Sequence, residues 1–333
     1  MATIPLTRGQ FLLPFVGILH DSGAPISSTL EKFRLPSVLE EKSELYIPLL
    51  PAIRFVAAAQ RSQGIEDFSF LATQRLHYSH LREKTRALIA HSPTLLVALQ
   101  HACKWAVRED TILSLWMEHH VDHVRICSRL SGTSSLRHLE HAQWLQLIFP
   151  IYIVRQFAGP DWMPATIAFE ARYTPSRATQ DLWPNVRFLS GQHASWISVP
   201  ISHLSLSIRA SASIPLPSDT EDVPSGYDIV ELIKLMLPAY LDDNPPTLAV
   251  VAEMAGVSPR TLQRKLYNIG LSYSDILDTV RYESASKLLR STNSKIIDIA
   301  YSSGYTDPAH FSRAFRRIAG VTPRQFRDSS RLG

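Results

Sequence analysis

Apolar and polar positions follow two different rhythms along this chain. From about residue 228 onward, apolar residues recur every three to four positions almost without a break, the period of helices that bury one face. Upstream, helical stretches are interleaved with period-two ones. "LYIPLLPAIRFVAAAQRSQG", "TRALIAHSPTLLVALQHACKWAV" and "RHLEHAQWLQLIFPIYIVRQFAG" predict helices with buried faces. "TILSLWMEHHVDHVRICSRL" alternates like the two strands of a hairpin, and "ATIAFEARY" and "VRFLSGQHASWISVPISHLSLSI" predict further strands. An α+β front part and an all-α back part are therefore expected. Between them, "SASIPLPSDTEDVPSG" is rich in Pro, Ser and acids and carries no apolar period, which predicts a linker. The expected division is an α+β domain over 1–212, a linker over 213–227 and a helical domain over 228–333.

The helical part says the same thing twice. Ala252 and Gly256 recur as Ala300 and Gly304, 48 positions later, and Leu262 and Leu266 recur as Phe311 and Phe315, 49 positions later. Each copy predicts helix, tight turn, helix. The Ala marks a close helix crossing, and the Gly ends the first helix where a left-handed backbone penalises a β-carbon. Ser258-Pro259 and Asp307-Pro308 then cap and start the second helices, and Thr322-Pro323 with Gln325 starts another. The two units are expected at about 247–269 and 295–318, joined by a continuous helix over about 272–290 that Ser272 caps.

On each second helix, burying the apolar pair turns its neighbours outward. In the first unit these are Arg260, Thr261, Gln263, Arg264 and Lys265; in the second they are Ala309, His310, Ser312, Arg313, Arg316 and Arg317. Arg matches the guanine O6/N7 edge and Gln the adenine edge through paired hydrogen bonds, while Ala can meet a thymine methyl. Thr261, Ala309, His310, Ser312 and Arg313 are therefore candidate base contacts. Lys265, Arg316 and Arg317 are candidate phosphate contacts.

Composition narrows the classes. A chain of 333 residues suits two domains, and 45% hydrophobic residues with a mean hydropathy of −0.03 describe a water-soluble chain. No stretch of eighteen apolar residues predicts a membrane span, and the apolar run at 11–19, broken by Pro14, is expected to be folded core rather than a leader. Cys103 and Cys127 stand in no metal spacing, so free thiols in a cytoplasmic setting are expected. The net charge of +4 is uneven: residues 225–333 hold 14 Lys and Arg against 11 Asp and Glu, and six Arg against Asp328 alone fall between Arg313 and Arg331. That density is the footprint expected for phosphate contact.

With these residues in view, the stretch from about Asp228 to Arg327 resembles the DNA-binding domain of the AraC/XylS family of bacterial transcription regulators. The likeness rests on Ala252, Gly256, Leu262, Arg264 and Leu266, and then on Ile299-Ala300, Gly304-Tyr305, Phe311, Arg313, Phe315 and "GVTPRQFR". It implies base contacts at Arg260, Gln263 and Arg264, two helices entering successive major grooves of double-stranded promoter DNA, and RNA polymerase as a partner. Pro308 stands where the family often has a DNA-contacting side chain, so the second unit is expected to position more than it reads.

More loosely, residues 5–215 resemble the arabinose-binding-type sensor domain of one AraC subgroup. That likeness implies a small-molecule effector and a homodimer. Activator and repressor are both compatible with the sequence, as is a front domain that only dimerises. No nucleophile–base pair, phosphate loop or paired carboxylates point to an enzyme, and no cofactor is called for. Twelve of the 13 His lie before residue 228, which keeps a metal-binding enzyme with a DNA-binding tail as a further alternative. On a strand, His119 and His123 would face one side; His138 and His141 stand one helical turn apart and could ligate a metal. Ordinary hydrogen-bonded histidines are the simpler expectation for both.

Overall fold

The computed structural model describes residues 3–37, 39–132, 138–208, 226–243 and 245–330. The chain forms two compact units, neither of which is a single stretch. One comprises Gln10–Phe33 and Leu49–Gly226; the other comprises Met1–Gly9, Arg34–Pro48 and Tyr227–Gly333. Most of the expected linker over 213–227 lies outside the described residues; Gly226 and Tyr227 are within them.

In chain order, strand β1 (Leu6–Arg8) belongs to the second unit and pairs antiparallel with β2 (Tyr46–Pro48). The first unit begins with helices α1 (Leu13–Asp21) and α2 (Ile26–Lys32) and resumes with α3 (Leu49–Gln63), α4 (Phe68–Thr73), α5 (Glu83–Ala90) and α6 (Leu95–Trp105). The hairpin β3 (Leu113–His119) and β4 (His123–Leu130) follows, then α7 (Glu140–Ala158), β5 (Thr166–Ala168), α8 (Arg177–Asp181), β6 (Arg187–Leu189) and β7 (Ser195–Pro200). The sheet runs β3-β4-β7-β5-β6, antiparallel except for β5 beside β6. Helix α7 is buried on almost every side, and Trp144, Leu147, Ile148, Ile151, Val154 and Phe157 pack against Val124, Ile126, Ile167 and Ile197 of the sheet. Such all-round apolarity suits a helix inside a core rather than on its surface. The front part is thus an α/β region with sheets, and the back part is helical.

Three details differ from the periodicity. "LYIPLL" opens as strand β2, because its pairing with β1, some forty residues away, outweighs the local helical pattern. The stretch around Ser92-Pro93 is two helices, α5 and α6, since the residue before a proline is pushed from helical backbone and Thr94 caps a fresh start. His119 and His123 do not share one strand. The chain turns at Val121-Asp122, so His119 ends β3 opposite Val124 while His123 opens β4. The rings that meet are His120 and His123, stacked 4.8 Å apart.

The second unit contains α9 (Ile229–Met236), α10 (Leu248–Met254), α11 (Pro259–Asn268), α12 (Tyr273–Ser291), α13 (Ile296–Ser302), α14 (Pro308–Ala319) and α15 (Pro323–Ser330). A capping box of Asp228 and Glu231 starts α9, and another of Ser272 and Asp275 starts α12. The segment from Arg34 to Pro48 is tied to the turn after α9: the Tyr240 hydroxyl donates to the Arg34 carbonyl at 2.9 Å, the Ser37 hydroxyl donates to Asp243 at 2.6 Å, and Lys42 pairs with Asp242. Among the described residues, no helix is long and apolar enough to cross a membrane.

Candidate nucleic-acid interface

The first helix pair is built from local signals. Thr247 caps α10, which ends ahead of Gly256, whose φ of +65° turns the chain. Ser258 then accepts the Thr261 amide at 3.2 Å, and Pro259 occupies the first turn of α11, where no amide donor is needed. Leu262 and Leu266, one turn apart, are completely buried, as is Ala252 on α10. The opposite face of α11 carries exposed Arg260, Gln263 and Arg264; Thr261 and Lys265 are half-buried at its edges. Thr261 holds its hydroxyl 2.9 Å from Ser258 Oγ. Neither Arg260 nor Arg264 makes an ion pair among the described residues.

The second pair follows the same plan with different contents. Gly304 has φ +80°, and a β-carbon there would meet the Leu241 carbonyl at 3.1 Å and its side chain at 3.2 Å. Asp307 caps α14 by accepting the amides of Ala309 at 2.9 Å and His310 at 3.1 Å. The Ala309 amide first, then that of His310 and the nearby Arg313, hold the Asp307 carboxyl below its ordinary pKa. Phe311 and Phe315 are buried, and with Tyr282, Tyr305 and Phe326 they make an aromatic core where the first pair uses aliphatic residues.

The outward face of α14 is largely engaged with its own unit. Ala309, His310, Arg313, Arg316 and Arg317 are exposed. His310 sits edge-on to Tyr305 at 5.7 Å, and the Ser312 hydroxyl donates to the Pro308 carbonyl at 3.0 Å. Arg313 approaches Asp307 at 4.0 Å, and Arg317 donates to Asp278 on α12 at 2.7 Å. Arg316 makes no ion pair among the described residues. The sequence carries no signal for the partnership between Asp278 and Arg317, which are 39 positions apart. Arg281, which sequence reasoning passed over, lies over the Tyr305 ring at 5.0 Å and 3.9 Å from Asp278, stitching α12 to the second pair. Of the later arginines, Arg327 donates to the Ser294 carbonyl at 2.7 Å, while Arg324 is exposed in the first turn of α15, whose start is the expected box of Thr322 and Gln325.

Residues 251–329 match the family described as "Helix-turn-helix domain". Within the same region, the HTH-type transcriptional regulator GlxA of Rhizobium meliloti is 37% identical over 89 residues, 26% of this chain and 28% of that protein. Residues 251–329 are thus an AraC-type helix-turn-helix domain, of the kind found in DNA-binding transcription regulators. The AraC-type domain accounts for the repeated helix pairs, and a weaker likeness to regulators extends beyond it. The HTH-type transcriptional regulator VirS of Mycobacterium tuberculosis is 22% identical over 333 aligned residues, 97% of this chain and 96% of that one. Among solved structures, the transcriptional regulator CdpR of Pseudomonas aeruginosa aligns with 91% of this chain and 96% of its own, at 18% identity and a TM-score of 0.41.

Proposed function

We propose that this regulator grips promoter DNA with two helix-turn-helix units, α10–α11 and α13–α14, held apart by α12, and that the two grips have different tasks. Helix α11 reads bases through Arg260, Gln263 and Arg264, with Thr261 beside them. Helix α14 positions the domain more than it reads, with His310 and Arg313 as its polar base contacts, Ala309 and Ser312 at the same surface, and Arg316 and Arg317 toward phosphates beside Lys265. The observation that carries this reading is the pair of capped helices, each with a completely buried apolar stripe and a polar face turned to solvent, on one continuous helix of 19 residues. Two such helices suit successive major grooves, about 34 Å apart along one face of the duplex.

In this reading the α+β part, residues 1–212 with its linker over 213–227, binds a small-molecule effector and joins two chains in a homodimer, while the DNA-bound dimer contacts RNA polymerase to activate transcription. An effector changes DNA binding only if it favours one state of the dimer. Genome-wide mapping of bound sites followed by hydroxyl-radical footprinting tests the DNA part: protection should fall in two blocks per bound protomer, about one helical turn apart on one face. A single block, or protection on both faces, overturns it. A metabolite screen on the mapped operator, guided by neighbouring operons, tests the effector part, and binding unchanged across the screen leaves a front domain that only dimerises.

A further inference from the structure

In the α+β unit, His138, Glu140 and His141 bring one ligating atom each within 4.8 Å of one another. They gather at the start of α7, with His138 in the turn before the helix and the other two in its first turn. His141 is only 2% exposed, and its Nδ1 is engaged by the Ser69 hydroxyl of α4 at 2.6 Å. The other ring nitrogen, Nε2, is buried with no hydrogen-bond partner. A ring nitrogen fixed by a neighbouring oxygen, with its opposite nitrogen left open, is how metal-binding histidines are oriented. His138 holds a left-handed backbone, φ +69°, uncommon outside glycine, and its ring stacks on His141 at 6.0 Å.

We propose that His138, Glu140 and His141 form a site for a divalent transition metal of the zinc class, with water completing the coordination. Two imidazoles and a carboxylate are the donor set of an open three-ligand zinc site, and their intermediate softness selects against calcium and magnesium. Bonds of about 2.0–2.2 Å place tetrahedral ligand atoms roughly 3.3–3.5 Å apart, so the group must close by somewhat more than 1 Å. The half-buried side chains of His138 and Glu140 have the freedom to do this; His141, packed in the core, is the fixed point.

Two features oppose a cation. The start of a helix carries partial positive charge, which the Glu140 carboxylate offsets. Arg61 of α3 lies 3.3 Å from His138 Nε2, and Glu140 Oε1 lies 3.4 Å from His138 Nδ1. The metal must therefore displace the exposed Arg61 side chain, so Arg61 acts as a competing cation. With metal bound, the turn carrying His138 is fastened to His141, which Ser69 already holds to α4.

The test is titration of the chelator-treated full-length protein with Zn²⁺ by calorimetry and with Co²⁺ by visible absorption. One equivalent per chain is expected. His138→Ala should weaken binding at least tenfold, and Ser69→Ala roughly tenfold, the usual reach of a ligand-orienting partner. Arg61→Gln should tighten binding several-fold, a gain that a merely structural histidine cluster has no means to produce. Replacing His120 and His123 together by Ala should change nothing. Absence of stoichiometric uptake, uptake indifferent to His138→Ala, or uptake lost only with His120 and His123 overturns the proposal. His138 and Arg61 lie outside the packed core, so the decision does not depend on whether His141→Ala folds.

Discussion

Helices α11 and α14 occupy equivalent places in the repeat, yet they present different chemistry. Helix α11 offers Arg260, Gln263 and Arg264 exposed, with both arginines outside any ion pair among the described residues. On α14, Arg313 leans toward Asp307, Arg317 is taken by Asp278, and the Ser312 hydroxyl is spent on its own helix. A side chain already paired must break that contact before it meets a base, and gains less by the exchange. The difference teaches that duplicated architecture does not imply duplicated recognition: identical placement of a helix leaves open what its surface is free to do.

The largest expected contrast lies in the turns. Gly304→Ala meets both a left-handed backbone and the Leu241 carbonyl and should cost about 2–4 kcal/mol in thermal or denaturant unfolding. Gly256→Ala faces open space and pays only the backbone term, about 1–2 kcal/mol. Equal losses would mean that the second turn is not pressed against Leu241.

Next comes base reading. Arg264→Ala should remove about 1–3 kcal/mol of discrimination at one base pair. Arg313→Ala should remove less, and Arg316→Ala should weaken all sequences alike while lowering the salt slope by about one. Binding titrated against salt on operator and scrambled DNA separates these; equal and sequence-independent losses would erase the distinction between the helices.

A smaller effect sharpens it. Asp278→Asn releases Arg317, giving up about 0.2–1 kcal/mol of an exposed pair while making the salt slope steeper by as much as about one. An unchanged slope would show that Arg317 faces away from the phosphates.

The caps give the finest contrast. Ser258→Ala should cost about 0.5–1 kcal/mol at any pH. Asp307→Ala should cost more, because it strips two amides of their acceptor. The folded-state pKa of Asp307 is lowered, so its contribution is complete above the ordinary carboxylate range and lost as pH falls through that lowered value. Followed from pH 7 into acid, the helicity of Asp307→Ala should therefore converge on that of the unsubstituted protein, while that of Ser258→Ala stays offset from it.

Much of the helical half was legible in the sequence. The starts at Ser258, Ser272, Asp307 and Thr322, the turns at Gly256 and Gly304, and the stripes Leu262–Leu266 and Phe311–Phe315 all depend on residues within a few positions of one another. Helix caps and amphipathic faces are short-range, so their signal is written locally. The hairpin of β3 and β4 was readable for the same reason, although its tight turn moved the histidine pairing from His119 and His123 to His120 and His123.

Local sequence therefore suffices for two capped helix pairs, the spacing between them, and the side chains each turns outward. Tertiary structure alone decided that Arg317 is held by Asp278 while Arg264 is not, and that Gly304 needs space as well as backbone freedom. It also decided that Leu6–Arg8 and Tyr46–Pro48 pair within the unit that carries the two helix pairs. These outcomes join residues tens to hundreds of positions apart. Their energies belong to the packed chain, and no window of local sequence contains both partners.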